Sequence, residues 1–217
     1  MTKIKVREGK MTKVKYSICA LVLSALLLQG CATLGEIARS LTNLQRLKFR
    51  LEGINDFSLA GIRINEKSKL KDFSIMDGIQ LLAAFRGKRL PARFLLNVEA
   101  RNPNDGSGGT TRTISTLTRF DWRLLIDDQP TISGGIDRPL EIPGTGQSTI
   151  IPLHLELDLY EFFGNHGYND LINLALALGG QRGDISRVSL DARPSVSTPL
   201  GDITWPEPIT IISKEFR

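Results

Sequence analysis

Cysteine is scarce in this 217-residue chain, which has two. Cys19 lies inside an apolar stretch and Cys31 just after it. If the stretch is removed, one thiol remains, which excludes an intramolecular disulfide and a cysteine-based zinc site. Histidine is equally sparse, with His154 and His166 only. Zinc needs three or four converging ligands, so neither pattern points to a metal. Long apolar runs are missing too. The run at 18–28 has eleven residues, short of the roughly 20 that cross a membrane as a helix. Charge of one sign is missing beyond the leader. The net charge is +5, but six of the 28 basic residues and one of the 23 acidic residues precede Cys31, which leaves 22 of each. A neutral remainder excludes the electrostatic footprint of a nucleic-acid binder. A phosphate-cradling loop is absent as well, because Gly144-Thr145-Gly146 lacks the lysine and runs into a strand pattern.

What is present describes a folded, exported chain. Hydrophobic residues make up 41% and charged residues 24%, which argues against disorder. Twenty glycines and ten prolines imply many turns and a β-rich fold. Lys13 and Lys15 precede the apolar run, in the order of a secretory signal, and Met11 would open a more compact signal than Met1. The run ends in Leu28-Gln29-Gly30-Cys31, which resembles the bacterial lipobox. That resemblance implies cleavage before Cys31, a diacylglycerol thioether on its sulfur and a further acyl chain on its new amine. Two or more acyl chains hold a protein stably to a bilayer. Ala32 follows, and a residue other than Asp there implies export to the outer membrane, facing the periplasm. The expected organisation is a lipoprotein signal at 1–30, a lipidated Cys and tether at 31–46, and a domain at 47–213.

Within that domain, alternation dominates. Leu47, Phe49 and Leu51 alternate with Arg46, Lys48 and Arg50, giving a strand with a basic face that either meets anionic lipid or guards a solvated edge. Phe94, Leu96, Val98 and Ala100 alternate with polar residues across 93–101, and the strand stops in Asn102-Pro103-Asn104. Further strands follow at 120–126, from Ile132, at 151–159, at Val188-Leu190-Ala192 and at Ile209-Ile211, with a short one at Ile62 and Ile64. Helical spacing appears at Leu34, Ile37, Leu41 and Leu44, then at Ile75, Ile79, Leu82 and Phe85 with Asp72 or Ser74 as N-cap. The apolar side of that second helix is expected to cover a sheet. Leu171, Leu174, Ala175 and Leu178 predict a last helix, closed by Gly179-Gly180. Seven or eight short strands with two helices suggest a sandwich.

The central block resembles the late-embryogenesis-abundant type 2 family, also called the WHy domain. The strand 94–101 running into Asn102-Pro103-Asn104 carries the resemblance, followed in order by Trp122 to Asp128, Ser133-Gly134-Gly135, Ile142-Pro143-Gly144 and the aliphatic strand 149–159. The resemblance implies a mostly β fold, an immunoglobulin- or fibronectin-III-like antiparallel sandwich with one or two added helices. It also implies a link to desiccation or osmotic stress and no catalytic residues. Asn102, Pro103 and Asn104 are read as structural, their amides satisfying turn backbone groups.

Sharper chemistry finds little purchase. His154 and Glu156 share one strand face and are either a base with its orienter or two solvated side chains. His166 sits in a loop pattern. Asn102, Asn104, Asp105 and Ser107 resemble a calcium loop without its closing glutamate. Asp121, Asp127 and Asp128 would serve a glycosidase only if paired across a cleft. Trp122 is expected in the core, and Trp205 either at its edge or as a partner anchor. The expected function is a lipid-anchored, non-enzymatic binding or scaffold module without cofactors. The alternatives are an amphiphile carrier that opens between helix and sheet, and a cell-wall hydrolase.

Overall fold

The computed structural model describes residues 46–64, 67, 69–107, 112–180, 184–198 and 201–217. The leader, Cys31 and the helical spacing at Leu34, Ile37, Leu41 and Leu44 lie outside these residues. The described residues carry ten strands: β1 (Lys48–Leu59), β2 (Ile62–Arg63), β3 (Pro91–Arg101), β4 (Ser115–Ile126), β5 (Gln129–Gly134), β6 (Leu140–Ile142), β7 (Ser148–Asp158), β8 (Val188–Thr198), β9 (Gly201–Thr204) and β10 (Ile209–Ile211). They carry three α-helices: α1 (Ile75–Arg86), α2 (Leu159–Phe163) and α3 (Tyr168–Gly179). One sheet has the order β2-β1-β3-β7, and the other β10-β8-β4-β5, with β6 beside β4 and β9 beside β8. Every pairing is antiparallel. The chain is a β-sandwich with added helices, as the alternating pattern predicts.

Alternation explains which face each sheet buries. Phe94, Leu96, Val98 and Ala100 of β3 point inward beside Ile151, Leu153, Leu155 and Leu157 of β7. From the other sheet, Phe120, Trp122, Leu124 and Ile126 of β4 meet them. Phe49 of β1 and Phe120 of β4 join the layers with ring centroids 5.4 Å apart. Two tight turns set register. Leu59 pairs with Ile62 across Ala60-Gly61, and Ile126 with Gln129 across Asp127-Asp128. All four turn residues have positive φ, the geometry that matches the twist of a two-residue hairpin.

Several expectations are corrected. Leu159 starts α2 rather than ending a strand, because the Asp158 carboxylate accepts from Tyr160 N at 2.9 Å and from Leu90 N at 2.7 Å. The short strands β6 and β9 escape periodicity because they lack room for it, and long neighbours hold them in place. β1 runs on past Leu51, although register shifts after Leu51 and after Asn55 break its alternation. Its basic side chains Arg46 and Lys48 are exposed, but its backbone edge is not bare. Residues 212–217 leave the second sheet and cross to β1, where Leu51 N donates to Ile212 O at 3.0 Å. Phe49 and Arg217 exchange both backbone bonds there, at 2.8 and 2.9 Å.

The larger correction concerns α1. Ser74 is its N-cap, in a reciprocal box with Asp77. Its inward side carries Leu81, the one fully buried residue of the helix, flanked by Ala84 and Phe85. Ile75 and Ile79, expected on the sheet, are 85% and 58% exposed. α3 takes the covering role instead, with Leu171, Ile172, Leu174, Ala175, Leu176 and Leu178 buried.

Candidate functional site

Asn102 is fully buried and ties three segments together. Its Nδ2 lies within donating distance of Thr113 O at 2.9 Å, Ser115 Oγ at 3.1 Å and Ile142 O at 3.1 Å. Its Oδ1 accepts from Asn104 N at 3.1 Å and Asn104 Nδ2 at 2.9 Å. The amide therefore serves backbone beyond its own turn, at the start of β4 and the end of β6. Asn104 is buried too, and its Oδ1 accepts from Arg46 at 3.4 Å. Gly144 closes the same cluster. A Cβ there would stand 2.3 Å from Thr113 O and 2.5 Å from Asn104 O, so only glycine fits. These contacts occupy the carboxamide oxygens of the calcium-like pattern, and the Asp105 carboxylate accepts from Ser107 N at 2.9 Å within its own turn. Cys31 lies outside the described residues, and Pro103 sits between the two asparagines as a half-buried link.

Among the acid–base candidates, Glu156 and Asp127 are engaged in ion pairs. His154 and Glu156 share the outer face of β7, but Glu156 pairs with Arg93 at 2.9 Å. That hydrogen bond holds its carboxyl below the usual glutamate range. His166, in the turn between α2 and α3, lines an open cleft of about 460 Å³ together with Asp127, Asp170, Asn173 and Arg187. Within it, Asp127 is forked by Arg187, with Nε at 2.7 Å. Asp170 caps α3 by accepting from Gly167 N. Asp121 lies on the exposed face of β4. Among the described residues, no three His, Cys, Asp or Glu side chains converge on a metal position. Trp122 is buried against Gly134, and Trp205 is half-buried at the edge of the core.

Two features escape sequence reasoning. Glu99 sits on the polar side of β3 yet is almost wholly buried. Its carboxylate takes Arg50 Nε at 3.0 Å, Arg50 Nη2 and the Ser148 hydroxyl, with Arg101 4.0 Å away. Burial pushes the Glu99 carboxyl up, but Ser148, Arg50 and the charge of Arg101 outweigh it and hold it below the ordinary value. Arg50 and Arg101 also flank the Phe216 ring, at 4.8 and 4.7 Å from its centroid. This joint clamps the tail of the chain onto the first sheet. The alternation of β3 marks Glu99 as solvent-facing, and only the tertiary partners reveal otherwise.

The second feature is the outer side of α1. Ile75, Met76 and Ile79 are 85%, 72% and 58% exposed, and Ala83 and Arg86 continue the stripe. Gln80 beside them is held by Ala60 O at 2.7 Å. A signal for this face exists in the sequence: Ile75–Arg86 is apolar nearly all round, with Asp77, Gln80 and Arg86 as its polar members. Such a helix needs apolar surroundings on two sides.

The geometry thus defines a helix-capped β-sandwich with a buried asparagine hub and one outward apolar helix face. The chain matches no family model and no curated protein. Solved structures offer remote likenesses. One is the solution structure of a protein assigned to the late embryogenesis abundant (LEA) group, 15% identical, covering 97% of this chain and 91% of that one at a TM-score of 0.36. Another is the crystal structure of a protein from Archaeoglobus fulgidus, 9% identical, covering 76% of this chain and 98% of that one at a TM-score of 0.31.

Proposed function

We propose that this protein is a lipid-anchored, non-enzymatic binding or scaffold module of the cell envelope, in the setting that the LEA type 2 resemblance ties to desiccation or osmotic stress. The observation that carries the reading is the ordered leader: Lys13 and Lys15, the apolar run 18–28 and Leu28-Gln29-Gly30-Cys31. Acyl chains on Cys31 would hold the module at the outer membrane, facing the periplasm, and raise its effective concentration against partners there. The sandwich suits a module whose surface does the work. Its candidate acids and histidines are exposed or engaged in pairs and caps, and its three described clefts, about 460, 320 and 270 Å³, are open and lined with charged groups. An amphiphile carrier would want a long apolar pocket between α1 and the sheet, where Leu81 packs instead. The test is Cys31→Ala. We expect the variant chain to stay uncleaved or to lose its lipid and leave the native membrane fraction. Unchanged fractionation together with unchanged processing would remove the anchor.

A further inference from the structure

The geometry points to the outer face of α1 as a second membrane contact, one that inserts Ile75, Met76 and Ile79 into the surface of a bilayer bearing anionic headgroups. The inference rests on the anchored reading for its setting, and on the fold for its substance. A helix with apolar residues on two sides has one side in the protein, through Leu81, Ala84 and Phe85, and the other unsatisfied. Ile75, Ile79, Ala83 and Arg86 recur at helical spacing on that outer side, with Met76 beside them.

Charge selects the occupant. Between residues 67 and 89 the sequence has six basic residues, Lys67, Lys69, Lys71, Arg86, Lys88 and Arg89, against Asp72 and Asp77. The chain from Cys31 onward is neutral overall, so this segment's excess of four positive charges is local and stands against an excess of four negative charges in the rest. Lys69 and Lys71 are exposed before the apolar stripe, and Arg86 and Lys88 are exposed after it. An apolar stripe with cations at both ends is the pattern of a helix lying in an anionic interface. A second copy of this chain fits poorly. An isologous contact would oppose two like-charged rims.

Placement allows both contacts at once. The chain enters the sandwich where Lys48 pairs with Arg101, whereas α1 leads into Pro91 at the far end of β3. Residues 32–45, fully extended, reach roughly 45–50 Å, which exceeds the roughly 35 Å length of β3.

The experiment measures amide hydrogen exchange across α1 in the full chain, with its membrane attachment intact. It compares phosphatidylcholine vesicles with vesicles that contain about one-third phosphatidylglycerol. Exchange should slow by about tenfold in the anionic vesicles and relax at high salt. Ile75→Asp with Ile79→Asp should abolish the slowing, and Lys69→Gln with Lys71→Gln should weaken it. The substituted side chains are all exposed, so the thermal melt should stay unchanged in both variants. Equal exchange in neutral vesicles, anionic vesicles and detergent overturns the proposal. So does protection that tracks protein concentration, which would mark a second copy, or protection found in cells but in no vesicle, which would mark a protein partner. Fractionation of the Cys31→Ala chain reads the anchor and exchange at α1 reads the helix contact, so the two fail separately.

Discussion

A buried asparagine such as Asn102 can be structural only if each of its polar atoms has something to do, and each does. Its Nδ2 serves carbonyls on two segments remote from its turn, and its Oδ1 serves Asn104. Asn102→Ala would leave Thr113 O and Ile142 O without that donor inside the protein. We expect a loss of about 2–4 kcal/mol in unfolding free energy, read by urea denaturation. Asn102→Asp keeps the acceptor but loses the donor and buries a charge, so it should cost at least as much. An unchanged midpoint in both variants would show the hub to be dispensable. The sequence makes Asn102-Pro103-Asn104 legible as a strand stop. It does not reveal that the first amide reaches across to β6, because that depends on which loops the fold brings together. Gly144 reads as a turn residue for the same reason, although its real constraint is the backbone pressed against it.

Elements differ in how far their pattern determines their burial. β7 alternates throughout, β4 does so from Phe120 on and β3 does so except at Glu99, and each buries its apolar side, since a slip of one residue would turn the strand inside out. α1 and α3 have no such safeguard. Both are rich in apolar residues, and either could be expected to cover a sheet. α3 does so at close range because Gly179, near its end, lets the helix approach β1. A Cβ on Gly179 would stand 2.1 Å from Phe57 Cγ. Gly179→Ala should therefore cost about 1–3 kcal/mol by overpacking, with partial recovery in a Phe57→Leu background. Gly53→Ala, where a Cβ meets no atom within 4 Å, serves as the control and should leave the melt nearly unchanged. Equal stability of the two alanine variants would refute close packing as the role of Gly179. α1 keeps only Leu81 fully inside and turns Ile75 and Ile79 out.

The whole molecule is held at one place by charge rather than by apolar packing. The tail that follows β10 crosses from the second sheet to β1, and Glu99, Arg50, Arg101 and Phe216 fasten it there. The Glu99 carboxyl is held below its ordinary value in the folded state. Its contribution to stability is therefore present above the unfolded value and is lost as pH falls through the folded one. In melts followed from neutral pH into the acid range, the wild type should lose more stability than Glu99→Gln. The gap between them should narrow as the carboxylate is protonated, and parallel curves would dissociate Glu99 from acid sensitivity. By itself the sequence determined the alternating strands and hence the mostly β sandwich, because period-two patterning and turn chemistry are local. It also determined that β3 must stop at Asn102-Pro103-Asn104. Only the tertiary structure decided which of two apolar helices is buried, that the backbone edge of β1 is paired by residues 212–217, and that Glu99 is buried beside Arg50. These are outcomes of competition among segments far apart in the chain, and no local pattern records which partner wins.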